Sequence, residues 1–270
     1  MSYRESIEKL NSADPDALEN ELQKLSEMKN LSLDEWEDRL KNTIGMLFGA
    51  SKEYKVEELY RVIKNDQKPP ERFEKLWNAE NSPFEADELI FYSDPITPFL
   101  DMAVVPDEKI SLLTYRKAVE ENPLLLLVEG LPDDSKVFEI LKKDGLSDAG
   151  ADNYRKISGF IRKKMQQSEK VFSFIAAVRR ILESDEPADA FEYEDASGAS
   201  HVVIKAGYAA QYYVCTSSIF CRLDSIDPDG ENVRIEPLQH NKEPMLPGKE
   251  IAYDDFGEIG CFTFEKNDYE

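Results

Sequence analysis

The sequence predicts an α+β fold: helices fill the N-terminal two-thirds, and a small antiparallel β domain, a sandwich or barrel, forms the remainder. Three observations lead there. Apolar residues recur with helical period in long stretches up to residue 183, a polar acidic stretch (SDEPADAFEYEDASG) follows, and β-branched and aromatic runs lie beyond it. At 270 residues and 41% apolar content, the chain can bury a core without disulfide or metal staples. The expected organisation is a helical region at 1–66, a mixed, mainly helical region at 67–183, and an acidic β-rich domain at 190–270.

Taken in order, residues 1–66 read as three or four helices. Asp14-Pro15 has the form of an N-cap with proline at the first helical position, and Leu18, Leu22 and Leu25 then share a face. Ser32 and Glu35 fit a capping box, after which Trp36, Leu40, Ile44 and Leu47 keep helical spacing up to Gly49. Val56, Leu59, Tyr60 and Ile63 make a further apolar stripe, read as helical. From 67 to about 150 frequent prolines break the pattern. Leu112 to Val119 reads as helix, while Leu124 to Val128 fits either a buried strand or a helical turn. Residues 152–183 form a helical pair, with Tyr154, Ile157, Ile161 and Met165 on one stripe and Phe172, Ile175, Val178 and Leu182 on the next. Strands are expected at His201 to Lys205, Gln211 to Ile226, Val233 to Leu238, Ile251 to Tyr253 and Ile259 to Phe264, with a hairpin turn at Asp227-Pro228-Asp229-Gly230.

The formal charge is −22, which disfavours nonspecific binding to nucleic acid or anionic membrane and attracts basic partners. Its distribution is uneven. Residues 184–270 hold 19 acidic and 6 basic residues, whereas 151–182 hold 8 basic and 2 acidic. No uninterrupted apolar run is longer than Leu124 to Val128, which falls far short of the ~20 residues that span a bilayer. The sequence starts MSYRESIEKL, without an apolar signal core, and its three cysteines suit reduced thiols, so the cytoplasm is the expected compartment.

The basic helical pair is the first candidate site. Arg155, Lys156, Arg162, Lys163, Lys164, Lys170, Arg179 and Arg180 either neutralise nucleic-acid phosphates or serve as a solvated face, docking on the acidic C-terminal domain in a third arrangement. The second candidate is LLLLVEGLPDDSKVFEIL, residues 124–141, where an apolar strand ends in Glu129-Gly130 with Asp133 four residues after the glutamate. This pattern resembles the first motif of Toprim domains, and the resemblance implies that Glu129 is a metal-bound acid/base group of a nuclease-like enzyme. Toprim domains also carry a later strand ending in Asp-x-Asp, whereas here the basic helical pair follows. Third, Trp36, Leu40, Leu47, Phe48, Gly49, Ser51 and Tyr54 lie in a segment, residues 33–59, that resembles the N-terminal helices of bacterial abortive-infection and TIR-associated proteins. That resemblance implies a setting of phage defence.

Cys215 and Cys221, at even spacing on one expected strand, should share a sheet face roughly 20 Å apart, too far to bind one metal. They and Cys261 read as core thiols, and His201 and His240 as surface residues. Tyr208, Tyr212, Tyr213 and Phe220 fit either core packing or a stacking platform for single strands. No cofactor motif is present, and no metal site is expected. Together these features point to a non-catalytic cytoplasmic binding or regulatory protein acting through its acidic C-terminal domain on a basic protein partner. Nucleic-acid binding by the basic helices is one alternative, and a Toprim-like nuclease using Glu129 is another.

Overall fold

In the computed structural model, the residues described are 3–44, 50–53, 56–64, 67–78, 88–120, 124–127, 136–165, 172–183, 190–194, 200–257 and 259–266. The elements in chain order begin with α1 (Tyr3–Ser12), α2 (Pro15–Glu27), α3 (Leu33–Thr43), β1 (Ala50–Glu53), β2 (Glu58–Lys64) and α4 (Phe73–Leu76). Next come β3 (Glu88–Tyr92), α5 (Thr97–Asp101), β4 (Lys109–Lys117), β5 (Leu124–Leu127), α6 (Lys136–Lys143), α7 (Asp148–Met165) and α8 (Phe172–Glu183). The chain continues with β6 (Ala190–Glu194), β7 (Ser200–Lys205), α9 (Ala206–Tyr212), β8 (Tyr213–Ile226), β9 (Asn232–Asn241), β10 (Tyr253–Asp255) and β11 (Phe262–Glu265). These elements form two compact units: unit 1 is Met1–Glu53 with Leu124–Gly198, and unit 2 is Tyr54–Pro123 with Ala199–Glu270.

Unit 1 is built on helix packing. Asp14 accepts from the Asp16 and Ala17 amides and Pro15 opens α2, while Ser32 and Glu35 close the capping box of α3. The buried stripe Leu18, Leu22 and Leu25 of α2 packs on α7, and Trp36 of α3 meets Phe174 of α8 edge-on at 5.1 Å. Asn153 of α7 donates to the Leu10 and Ala13 carbonyls, satisfying orphan acceptors at the end of α1. A Cβ on Gly150 would lie 2.2 Å from Asn11 Oδ1, so a larger residue there would push aside the side chain that accepts from Ser147. Beside these helices, β1 pairs antiparallel with β5, and β5 pairs parallel with β6.

Unit 2 is an antiparallel sheet in the order β7-β3-β2-β4-β8-β9-β10, with β11 also on β9. The expected fold class is overturned here. The stripe Leu59, Tyr60 and Ile63 belongs to strand β2, and most of Leu112 to Val119 to strand β4; both pair along their length at the centre of the sheet. The C-terminal strands extend that sheet rather than forming a sandwich or barrel of their own: β4 pairs with β8 and β3 with β7. The physical reason is burial on both faces. Leu59 and Val62 are buried on opposite sides of β2, three residues apart, and Ile110 to Leu113 are buried consecutively, so a two-sided strand imitates helical spacing. Conversely, α9 occupies the start of the expected 211–226 strand.

The 227–230 hairpin forms as expected: Asp227 N–H donates to the Asn232 carbonyl, and Gly230 takes φ +74°. One face of the sheet is closed by Leu76 and Trp77. Arg61 donates to the Leu76 and Asn78 carbonyls, Tyr115 OH donates to Leu76 O, and Trp77 packs edge-on against Tyr115 at 5.0 Å. On the other face, Ile96, Phe99 and Val104 from α5 and its flanks pack on Val62, Ile110, Leu112, Cys221 and Leu223. The segment ends in a helix-stop motif: Ala103 N–H donates to Leu100 O, Val104 N–H to Phe99 O, and Ala103 holds φ +46° where glycine is usual.

Candidate functional site

Residues directly opposite each other in a β-ladder point to the same face, so the register identifies which side chains stand side by side. On the α5-covered face, the pairs Thr114↔Ser217, Thr114↔Tyr60, Tyr60↔Tyr92 and Tyr92↔His201 place one rung of polar residues across β8, β4, β2, β3 and β7. The rung on one side of it is Leu112, Val62 and Ile219, in the core beneath α5. On the other side Arg116 Nε donates to Glu58, and Tyr60 OH donates to the second oxygen of that carboxylate at 2.8 Å. The face therefore grades from apolar through hydroxyl-bearing to charged over three rungs.

One end of the polar rung is closed from above. Asp94 accepts from the Ile96 and Thr97 amides and from Thr97 Oγ1 at 2.7–2.8 Å, fixing the entry to α5. The last residue of that helix, Asp101, then reaches the sheet: its Oδ2 accepts from Tyr92 OH at 2.7 Å and lies 3.0 Å from His201 Nε2. An ionised carboxylate can only accept, so Nε2 carries the proton that faces it. Tyr92 and His201 are 4% and 1% exposed and pack edge-on at 5.1 Å, whereas the Asp101 side chain retains 14% exposure. Tyr60, Thr114 and Ser217 are half-buried. The arrangement is a buried hydrogen-bonded anchor that opens onto a strip of hydroxyl groups.

The basic helices present a different picture. Lys156 pairs with Glu19 at 2.9 Å and donates to Pro15 O, and Arg180 reaches Asp34 and Glu37 of α3. Arg155 pairs with Asp152 one turn earlier. Lys164 is 2% exposed; it donates to the Ser26 and Met28 carbonyls at the end of α2 and lies 5.5 Å over the Trp36 ring. Buried Arg179 lies over the Phe191 ring at 4.6 Å. Arg162 and Lys163 face solvent on α7, and Lys170 lies outside the described residues. Most of these cations thus hold α7 and α8 to neighbouring carboxylates, carbonyls and rings within unit 1.

Glu129, Gly130 and Asp133 also lie outside the described residues, as do Leu47, Phe48, Gly49 and Tyr54. Among the described residues no three His, Cys, Asp or Glu side chains cluster to hold a metal, and no helix is long and apolar enough to cross a membrane. The cysteine geometry corrects the even-spacing expectation. Between Thr114↔Ser217 and Tyr115↔Cys215 the strand β8 holds one extra residue, Thr216, and this bulge sends Cys215 and Cys221 to opposite faces. Both thiols are buried and free, and burial pushes each up to about 12. Cys261 is half-buried. His201, expected at the surface, is core. The aromatic group divides, with Tyr213 and Phe220 in the core and Tyr208 exposed on α9.

Sequence reasoning read Tyr60 only as part of a helical stripe and did not single out Tyr92, Asp101 or Thr114. A histidine heading the fully apolar run Val202 to Ile204 was the available signal, because a histidine at the edge of a two-sided buried strand requires a partner.

No known protein family's profile matches the chain, and no curated protein matches it. A chain from the crystal structure of the M. tuberculosis MbcT–MbcA toxin–antitoxin complex aligns over 71% of this chain and 92% of its own, at 12% identity and a TM-score of 0.35. A likeness that slight carries no conclusion about function.

Proposed function

We propose that this chain is a cytoplasmic binding protein that receives a small polar ligand on the hydroxyl strip of unit 2, at Tyr60, Thr114 and Asp101. The observation that supports this reading is the rung itself: polar side chains aligned across five strands, one end anchored by Asp101, the other half-buried. Tyr60 OH and Tyr92 OH already donate to Glu58 and Asp101, so what sets the strip apart is that Tyr60, Thr114 and Ser217 are only half covered. Here half-buried hydroxyls stand between a dry core and a charged rim, the mixed lining typical of ligand sites. Hydroxyl and phenol groups both donate and accept, so the complementary ligand carries hydroxyl or amide groups, and the tyrosine rings offer it a flat apolar side.

The test is an NMR titration of the full chain with adenosine, glucose and glutamine, which represent a heterocycle, sugar hydroxyls and an amide. The expected result is that at least one of them shifts backbone resonances around Tyr60, Thr114 and Asp101. Tyr60→Phe should then weaken it by roughly tenfold, the worth of one hydrogen bond. If none of the three moves those resonances, or Tyr60→Phe binds like the parent, the proposal fails.

A further inference from the structure

We infer that the outer side of the α5 segment, together with the hairpin turn beside it, is a docking surface for a basic amphipathic helix of another protein. Leu100, Met102 and Val105 are 43%, 38% and 59% exposed, although their neighbours Phe99 and Val104 are core residues. Three large apolar side chains thus project to solvent from one short stretch that is itself held firmly. Asp107 N–H donates to Leu223 O and Leu223 N–H to Glu108 O, while Val104 and Ala103 close the helix-stop motif. The 227–230 turn lies alongside, since a Cβ placed on Gly230 would sit 3.1 Å from Leu100 Cδ1.

That turn supplies the charge. Asp227 accepts from the Asn232 amide and Asp229 from the Glu231 N–H, and neither has a Lys or Arg against it among the described residues. Asp107, two residues beyond Val105, adds a carboxylate that it shares with Arg222 at 3.5 Å. An apolar strip edged by the Asp227 and Asp229 carboxylates is complementary to a helix with apolar residues at i, i+3, i+4 and i+7 flanked by Lys or Arg. The backbone donors along α5 are already used within the segment, so the surface recognises side chains and offers no strand edge to pair with. Phosphate-bearing partners are repelled by the same carboxylates.

The experiment measures fluorescence anisotropy of a labelled helix-forming peptide of about 14 residues. It contains only leucine and lysine, arranged in the amphipathic pattern, and is titrated with the full chain at about 0.15 M salt. A shuffled peptide of the same composition controls for bulk attraction to a protein of charge −22. The patterned peptide should bind and the shuffled one should not. Loss of two apolar anchors in the Met102→Ser, Val105→Ser double variant should weaken binding roughly tenfold or more. Asp227→Asn with Asp229→Asn, which keeps both acceptors, should weaken it several-fold, and Ile140→Ser, at an exposed apolar residue of unit 1, should not change it. The inference is overturned if the patterned peptide does not bind, if the shuffled peptide binds equally, if the unit 2 variants bind like the parent, or if Ile140→Ser weakens binding as much as they do.

Discussion

Replacing Asp101 by asparagine should destabilise unit 2 by about 2 kcal/mol, and replacing it by leucine by about 3–5 kcal/mol. The magnitude follows from the geometry. Two donors, Tyr92 OH at 2.7 Å and His201 Nε2 at 3.0 Å, converge on one carboxylate oxygen. Each bond to a charged acceptor contributes about 1.5–3 kcal/mol, against about 0.5–1.5 for a neutral one. Asparagine can turn its Oδ1 to the same place, so the two bonds survive and only their charge-assisted part is lost. Leucine instead removes the Asp101 acceptor from both nearly buried donors, and the desolvation of each is no longer offset there. The assay is urea unfolding followed by Trp77 fluorescence in a Trp36→Phe background, because Trp36 lies in unit 1 and Trp77 in unit 2. If Asp101→Asn shifts stability by less than about 0.5 kcal/mol the charge adds nothing net, and if Asp101→Leu does so too, the anchoring role given to α5 is wrong.

Three further outcomes are expected. Lys164→Met, similar in shape, should cost unit 1 roughly 2 kcal/mol because the Ser26 and Met28 carbonyls lose a charged donor. Trp36 fluorescence in a Trp77→Phe background reads this loss, and unchanged stability would show that desolvation of the lysine cancels its bonds. Ala103→Gly should stabilise unit 2 by up to about 1 kcal/mol, read as a higher urea midpoint, since φ +46° costs alanine more than glycine; a lowered midpoint would contradict the strain. The buried thiols set an alkaline limit. With Cys215 and Cys221 raised from 9.0 to about 12, the folded state holds protons that the unfolded chain releases, so their contribution is complete below pH 9 and declines as pH rises from 9 toward 12. Double replacement by alanine should flatten stability over that window, and an unchanged pH slope would argue against burial of the thiols.

Local signals in the sequence proved readable where a single residue dictates the geometry. The Asp14-Pro15 start, the Ser32/Glu35 capping box and the Asp227-to-Gly230 turn all form, because each depends on atoms only a few residues apart. Strands β2 and β4 were hidden for the opposite reason. Their apolar residues serve two faces at once, which erases the alternation that marks a one-sided strand. The candidate site was hidden further, since its members come from β2, β3, α5, β4 and β7 and meet only through strand register. Asp101 follows an ordinary Thr-Pro-Phe-Leu stretch, and nothing in that stretch announces a carboxylate directed at a histidine 100 positions later. Charge counts likewise identified the basic helices but could not say that Lys164 would be buried at the end of α2.

The pairing order of unit 2 has a consequence for how the protein is made. Strands β2, β3 and β4 leave the ribosome early, yet the partner of β3 is β7 and the second partner of β4 is β8, which ends at Ile226. At about 5–20 residues per second, the open edges of β3 and β4 wait roughly 5–20 s for strands synthesised about 100 residues later. During that delay they are templates for any other nascent or unfolded chain. The helices of unit 1 encoded in between are emerging through the same interval, so the protein passes through synthesis with an unfinished sheet. Its yield at high expression should therefore depend on translation speed and on chaperones that shield strand edges.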